Sequence, residues 1–157
     1  MFCRKSRHQR LLVHELGPQN VGKVFDSKGN DVGTHDGAIF YTTGQRHGLD
    51  IGGGLPYYVI GKDMNKNEVY VTTDINDKNL WSKEINLTDI HWINSPPVEN
   101  MMVQVRSRHR AQLIEAKLYL KDQLVKVELT DDIRALTTGQ SCVIYQDDLV
   151  LGGGIII

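Results

Sequence analysis

Three arginines and a histidine fall within five residues, Arg106-Ser107-Arg108-His109-Arg110. Continued along a strand, Arg106, Arg108 and Arg110 would share one face, because strand side chains alternate with period two. Three guanidiniums on one face repel one another unless an anion lies between them, and arginine offers phosphate a forked pair of donors that lysine cannot copy. The chemistry implied is phosphate-backbone binding; a solvated strand end fits the same spacing. A second cluster, Asp36-Gly37 and Thr43-Gly44-Gln45-Arg46-His47-Gly48, flanks Tyr41. Its glycines would let a backbone approach a ligand while Gln45, Arg46 and His47 supply polar contacts. It also reads as a loop whose glycines take positive φ.

Other chemistry finds little support. His35, Asp36 and His47 match no metal-ligand spacing, so no metal site is expected. Neither Gly52-Gly53-Gly54 nor Gly152-Gly153-Gly154 leads into Lys-Ser/Thr and a helix, so neither is a phosphate loop. The second run instead suits a last strand that bends or passes close to another backbone. There is no Gly-x-Ser-x-Gly elbow and no paired-carboxylate constellation. The two cysteines, Cys3 and Cys142, are too few for a disulfide framework. Cys142 lies in the apolar run Ser141 to Tyr145 and is expected to be a buried, structural thiol. No segment approaches the ~18 apolar residues of a membrane span, and no apolar stretch follows Arg4-Lys5 as a secretory signal requires. A reducing cytoplasm and no membrane partner are therefore expected. The formal net charge of −1 advertises no nucleic acid globally, so any such partner must be recognised by local clustering.

The elements that must position these residues are mostly strands. With 157 residues and 40% hydrophobic content the chain can bury a core without covalent staples. Val21 to Asp26 reads as a strand before the turn Ser27-Lys28-Gly29-Asn30. Ala38 to Thr42 can begin a short helix. Pro56 to Lys62 and Glu68 to Thr73 alternate about Asn65-Lys66-Asn67 as a hairpin. Five or six strand-like runs follow Asn76-Asp77-Lys78-Asn79: 89–93, 101–107, 116–121, 124–129, 141–146 and 149–157. They are separated by polar turns, Asp131-Asp132 among them. Short strands at regular spacing with no long amphipathic helix predict a small antiparallel barrel. The expected fold is mainly β with a small α+β part: a basic N-terminal segment over 1–16, a central α+β domain over 17–76, and a C-terminal β-barrel over 77–157.

Several segments, in order, resemble one family. They are Gly33-Thr34-His35-Asp36-Gly37-Ala38-Ile39-Phe40-Tyr41-Thr42-Thr43-Gly44-Gln45-Arg46-His47-Gly48-Leu49, then Tyr57 to Asp63, then Val103 to Arg110, then Thr138-Gly139-Gln140-Ser141-Cys142, and last Leu151-Gly152-Gly153-Gly154-Ile155. The chain is similar, over roughly residues 17 to 157, to the central and C-terminal domains of the tRNA-specific 2-thiouridylases. The resemblance implies an enzyme that replaces the 2-oxygen of the wobble uridine of tRNA with sulfur, using ATP to adenylate the base and a cysteine persulfide to deliver sulfur. In the family an N-terminal domain carries an SGGxDS loop and the first catalytic cysteine. Neither is in this sequence, so no cofactor is expected on this chain itself.

The family's tRNA-contacting pair falls on Arg108 and His109, and a further contact falls on Gln140, where Thr138 replaces the usual Pro of the turn. The neighbouring Arg106, Arg110, Gln45 and Arg46 are counted as tRNA-binding with them. Cys3 sits near the place of the family's second catalytic cysteine, but Phe2 precedes it and Arg4-Lys5 follow, where the family has a Phe-Ile-Gly run. Those two cations would favour its thiolate. The partners implied are tRNA, and a sulfur-relay donor or a separate chain carrying the ATP site. A stand-alone RNA-binding barrel without modification activity is the alternative reading.

Overall fold

The computed structural model describes residues 14, 15, 17, 19–46, 48, 49, 51, 52, 54–121 and 123–157. Cys3, the arginines of the basic N-terminal segment and His47 lie outside these residues. The chain divides into two compact units, Met1–Leu80 and Trp81–Ile157. Among the described residues no helix is long and apolar enough to cross a membrane.

The first unit is a four-stranded sheet of order β2-β1-β4-β3, from β1 (Gly22–Asp26), β2 (Asp31–His35), β3 (Tyr58–Asp63) and β4 (Glu68–Thr72). Two acidic residues make its turns. Asp26 accepts the backbone N–H groups of Lys28 and Asn30 at 2.8 Å and the Asn30 side-chain amide at 2.9 Å, and these bonds, the side-chain one foremost, hold its carboxyl below the usual range. Asp63 likewise accepts from Asn65 and Lys66, closing β3 onto β4 where Asn67 takes φ 56°. This is the chemistry by which Asx residues initiate turns. β1 and β4 run parallel, joining the two hairpins through Val24 and Val69, both fully buried. A 3-10 turn, Ala38–Phe40, adds Ala38 and Phe40 to that core; the short helix expected there extends no further. β2 was not legible as a strand, because Asp-Val-Gly-Thr-His offers one apolar side chain and a glycine.

The second unit is a closed antiparallel barrel of order β10-β5-β8-β7-β6-β9. Its strands are β5 (Trp81–Trp92), β6 (Met102–Arg106), β7 (Ile114–Lys121), β8 (Leu124–Arg134), β9 (Ser141–Gln146) and β10 (Leu149–Ile156). Alternation decides what fills it. Ile85 and Leu87, Val103 and Val105, Ala116 and Leu118, Val125 and Val127, and Cys142 and Ile144 point inward two residues apart and are buried, while their neighbours face out. Closure removes the sheet edges that would otherwise recruit other strands. A small α+β unit followed by an antiparallel barrel is the architecture the sequence predicts.

Two strands are longer than their sequence signals. β5 begins at Trp81 rather than Asp89, because across Ser82-Lys83-Glu84 only the outward face is occupied by recognisable polar residues and just Ile85 and Leu87 mark the core face. β8 continues to Arg134 through Asp131-Asp132, which the sequence reads as a turn. Against β5 its register jumps from Ser82↔Ile133 to Glu84↔Glu128, so the two acids ride on a bulged, exposed stretch of a continuous strand.

β10 closes the barrel through its glycines. A Cβ at Gly152 would lie 2.3 Å from the carbonyl oxygen of His91 in β5, and one at Gly153 would lie 2.4 Å from that of Cys142 in β9. Register shifts on both flanks of β10 mark the same crowding. The strand therefore fits between its neighbours only without side chains at these positions. Gly153→Ala should lower stability by about 1–3 kcal/mol, the usual cost of forced overpacking, read as a lower urea midpoint at unchanged m by far-UV circular dichroism. Gly52→Ala, whose added methyl meets nothing within 4 Å, should leave the midpoint in place.

Candidate nucleic-acid interface

β6 carries the first arginine of the basic cluster and then stops. Arg106 is its last residue, Ser107 is buried, and the chain turns over residues 108–111 with the Ala111 N–H donating to the Arg108 carbonyl at 3.1 Å. Arg110 stands at φ 64° on the exposed far side of that turn. The single strand face expected for Arg106, Arg108 and Arg110 is therefore not formed. Ser107 keeps the buried parity of Val103 and Val105, and the turn that follows places Arg108 and His109 beside another loop.

That loop joins β8 to β9. Ala135 takes φ 58° and is buried, and its carbonyl accepts both the Arg108 guanidinium and the Thr137 hydroxyl. Arg108 Nε also donates to Gln140 Oε1 at 3.4 Å. Gln140 is itself anchored: Gly139 N–H donates to the Ile156 carbonyl and Ile156 N–H to the Gln140 carbonyl, each at 2.8 Å, tying the turn to the end of β10. Gly139 supplies the φ of 87° that the turn requires, which a proline at position 138 would not alter.

Arg106, Ser107, Arg108, His109, Gln140, Ser141, Val143 and Tyr145 line one open depression of about 510 Å3 on the outside of the barrel. Of the residues singled out in the sequence, Arg106, Arg108, His109 and Gln140 meet here, although 32 residues separate Arg108 from Gln140. Arg110 does not line it. Tyr145 was missed, and the signal that could have found it is the alternation of β9: with Cys142 and Ile144 inside, Val143 and Tyr145 must face out beside Arg106.

The glycine-flanked cluster of the first unit divides its labour. Gln45 closes a turn, its side-chain oxygen accepting the Thr42 N–H at 3.1 Å while its backbone pairs with Val59. Arg46 is exposed and lines a hollow with Leu49, Ile51, Gly54, Leu55, Pro56 and Tyr57. His35 is buried with both ring nitrogens engaged, Nδ1 accepting the Gly37 N–H at 2.9 Å and Nε2 lying 3.2 Å from the Asn67 carbonyl. That arrangement makes Nε2 the protonated nitrogen, and burial pulls its pKa below the ordinary value. It is a core residue that joins β2 to the β3–β4 turn. No group of three or more histidine, cysteine, aspartate or glutamate side chains among the described residues is arranged to hold a metal.

Two family models match the chain: a tRNA methyl transferase PRC-barrel domain over residues 9–73 and an aminomethyltransferase beta-barrel domain over residues 82–156. The tRNA-specific 2-thiouridylase MnmA of Desulfitobacterium hafniense is 39% identical over 158 aligned residues, which cover 92% of this chain and 42% of that protein. Those of Shewanella and Staphylococcus saprophyticus are 37% and 36% identical, over 94% and 96% of this chain. The chain belongs to the tRNA-specific 2-thiouridylase family. It spans about 42% of the length of these relatives, and both of its units fall within thiouridylase sequence.

One sulfur in the thiouridylase barrel can be assigned a role at once. Cys142 is fully buried on the inward face of β9, and burial pushes its thiol up to about 12, so it holds no thiolate at neutral pH. The buried structural thiol expected from the sequence is what the fold contains. In a Cys3→Ser chain, Cys142 should react with a thiol reagent only on unfolding, with the labelling rate following the denaturant midpoint; rapid modification of the native protein would contradict the barrel interior described above.

Proposed function

We propose that this chain is the tRNA-gripping part of a tRNA 2-thiouridylase, acting in the replacement of the 2-oxygen of the wobble uridine by sulfur. The observation that carries the reading is the meeting of Arg108, His109 and Gln140 at one depression, since these are the positions on which the family's tRNA contacts fall. Physically the arrangement suits a phosphate backbone. Arg106 and Arg108 concentrate positive charge on a surface whose chain-wide charge is −1, and His109 and Gln140 add donors able to reach sugar and base. Arg46 is proposed as an additional contact from the central unit, with Gln45 shaping its loop, and Arg110 as a peripheral phosphate contact on the exposed turn. Adenylation by ATP and persulfide delivery are assigned to the portion of the family's length that this chain does not span, or to a separate chain, with a sulfur-relay donor upstream. Cys3 is the one candidate on this chain for the second catalytic cysteine. A cytoplasmic location accords with a tRNA substrate.

Binding of fluorescently labelled tRNA, followed by anisotropy at several salt concentrations, tests the grip. Arg108→Ala should weaken binding about tenfold or more, as loss of a charge-assisted contact does, and flatten the slope of log K against log salt by about one unit. Gln140→Ala should weaken binding with almost no change of slope, because a neutral amide displaces no counterion. Since Gln140 also holds Arg108, the double variant should lose less than the product of the two single effects. Lys66→Ala, on the β3–β4 turn, should do little. Equal behaviour of Arg108→Ala and Lys66→Ala would sink the assignment.

A further inference from the structure

The depression contains a feature that phosphate binding leaves unused. Arg106 closes β6 and Tyr145 stands on β9, diagonal neighbours across the β6–β9 pair, where Arg106 lies opposite Val143. The guanidinium carbon sits 5.6 Å from the centroid of the Tyr145 ring, within cation–π range. Arg106 Nε is buried and meets no hydrogen-bond acceptor among the described residues. A buried donor left without a partner destabilises a fold unless something else offsets the loss. Among the described residues no acidic side chain lines the depression, whose other members are Ser107, Arg108, His109, Gln140, Ser141 and Val143. The site thus presents a cation–π pair with one buried, unpartnered donor beside Arg108 and His109.

From this geometry, and resting on the tRNA-gripping reading above, we propose that the depression takes one unpaired nucleotide of RNA, its base stacked on the Arg106–Tyr145 pair and its phosphate held by Arg108. Arginine planes and tyrosine rings are the surfaces on which splayed-out bases stack, and every base has a π-face to offer. Gln140 and Ser141 line the same depression and offer hydrogen-bonding groups to a base edge or a 2′-hydroxyl. A depression of about 510 Å3 lies within the size range of small-ligand sites, about 300–1,000 Å3. Bases inside an A-form helix keep their faces covered by their neighbours. The platform therefore selects a loop, bulge or end over a duplex, a distinction that Arg108 alone cannot make.

The full chain is titrated with two labelled RNAs, a hairpin with an unpaired loop and a blunt duplex of the same stem sequence. Tyr145→Phe keeps the ring and should bind both as the parent does. Tyr145→Leu keeps apolar bulk without the π-face and should weaken hairpin binding about tenfold while leaving the duplex within about twofold, given the usual worth of a base–aromatic stack. Arg106→Lys keeps the charge without the plane and should show the same selective loss, which decides the matter if Tyr145→Leu proves unfolded by circular dichroism. Equal loss on both RNAs, or no loss on either, overturns the stacking platform. Arg108→Ala reports separately: if it weakens both RNAs while the Tyr145 and Arg106 variants are unselective, the grip stands and only the platform falls, whereas no effect of Arg108→Ala on either RNA removes the grip and the platform with it.

Discussion

The closeness with which β10 lies between β5 and β9 is the constraint from which the candidate interface follows. Glycine at 152 and 153 lets this strand approach two backbones to distances that no other residue permits, and so lets the sheet close. The far end of the same strand then fixes the turn that carries Gln140, through the paired hydrogen bonds of Ile156 with Gly139 and Gln140. Gln140 and the Ala135 carbonyl in turn hold the Arg108 guanidinium. A run of small residues with no chemistry of its own thus governs where a charged side chain points. Long, flexible cations owe much of their usefulness to such restraint, because a preorganised guanidinium loses less freedom on meeting an anion than a free one does.

Much of this was legible in the sequence, and the failures share a cause. Alternating apolar residues located β9 to the residue, and Ser141 to Tyr145 also gave the burial of Cys142. The hairpin of β3 and β4 was marked by its turn asparagines, and the barrel class by its regular punctuation. What the sequence concealed were features set by neighbours distant along the chain. The long start of β5 is a strand because β8 pairs with it, not because Trp81 to Asp89 has strong strand chemistry of its own. Asp131-Asp132 looks like punctuation until a bulge in β8 gives it somewhere to go. Period-two spacing put Arg110 on the wrong side of the basic cluster, since nothing local announces that the strand will end at Arg106. The proximity of Arg108 and Gln140 is a product of β6 pairing with β9, and was accessible only through the family resemblance. Tyr145 could have been reached by the same alternation that buried Cys142.

The electrostatics are local throughout. With a chain-wide charge of −1 the molecule has no long-range field to draw in a polyanion, in contrast to proteins that are basic overall. Elsewhere on the barrel some cations are matched: Lys126 pairs with Glu84 at 2.6 Å, and Lys117 lies over Tyr119, whose hydroxyl is bonded to Glu128. In the first unit Lys23 pairs with Asp31. Such exposed pairs add little to stability.

The strand order also carries a consequence for how the barrel comes into being. β5, the first strand of the barrel, pairs with β8 on one side and with β10, the last, on the other, and β6 pairs with β9, so three of the six seams join segments far apart along the chain. Only β6–β7, β7–β8 and β9–β10 can form as local hairpins. Loop-closure entropy must be met before the distant pairings repay it, which places this unit among slowly folding, high-contact-order topologies. On a ribosome, β5 emerges with a long apolar-faced edge and waits for β8 and then for the glycine strand before either edge is covered. During that interval the growing barrel is exposed to the same edge-to-edge pairing that closure later abolishes.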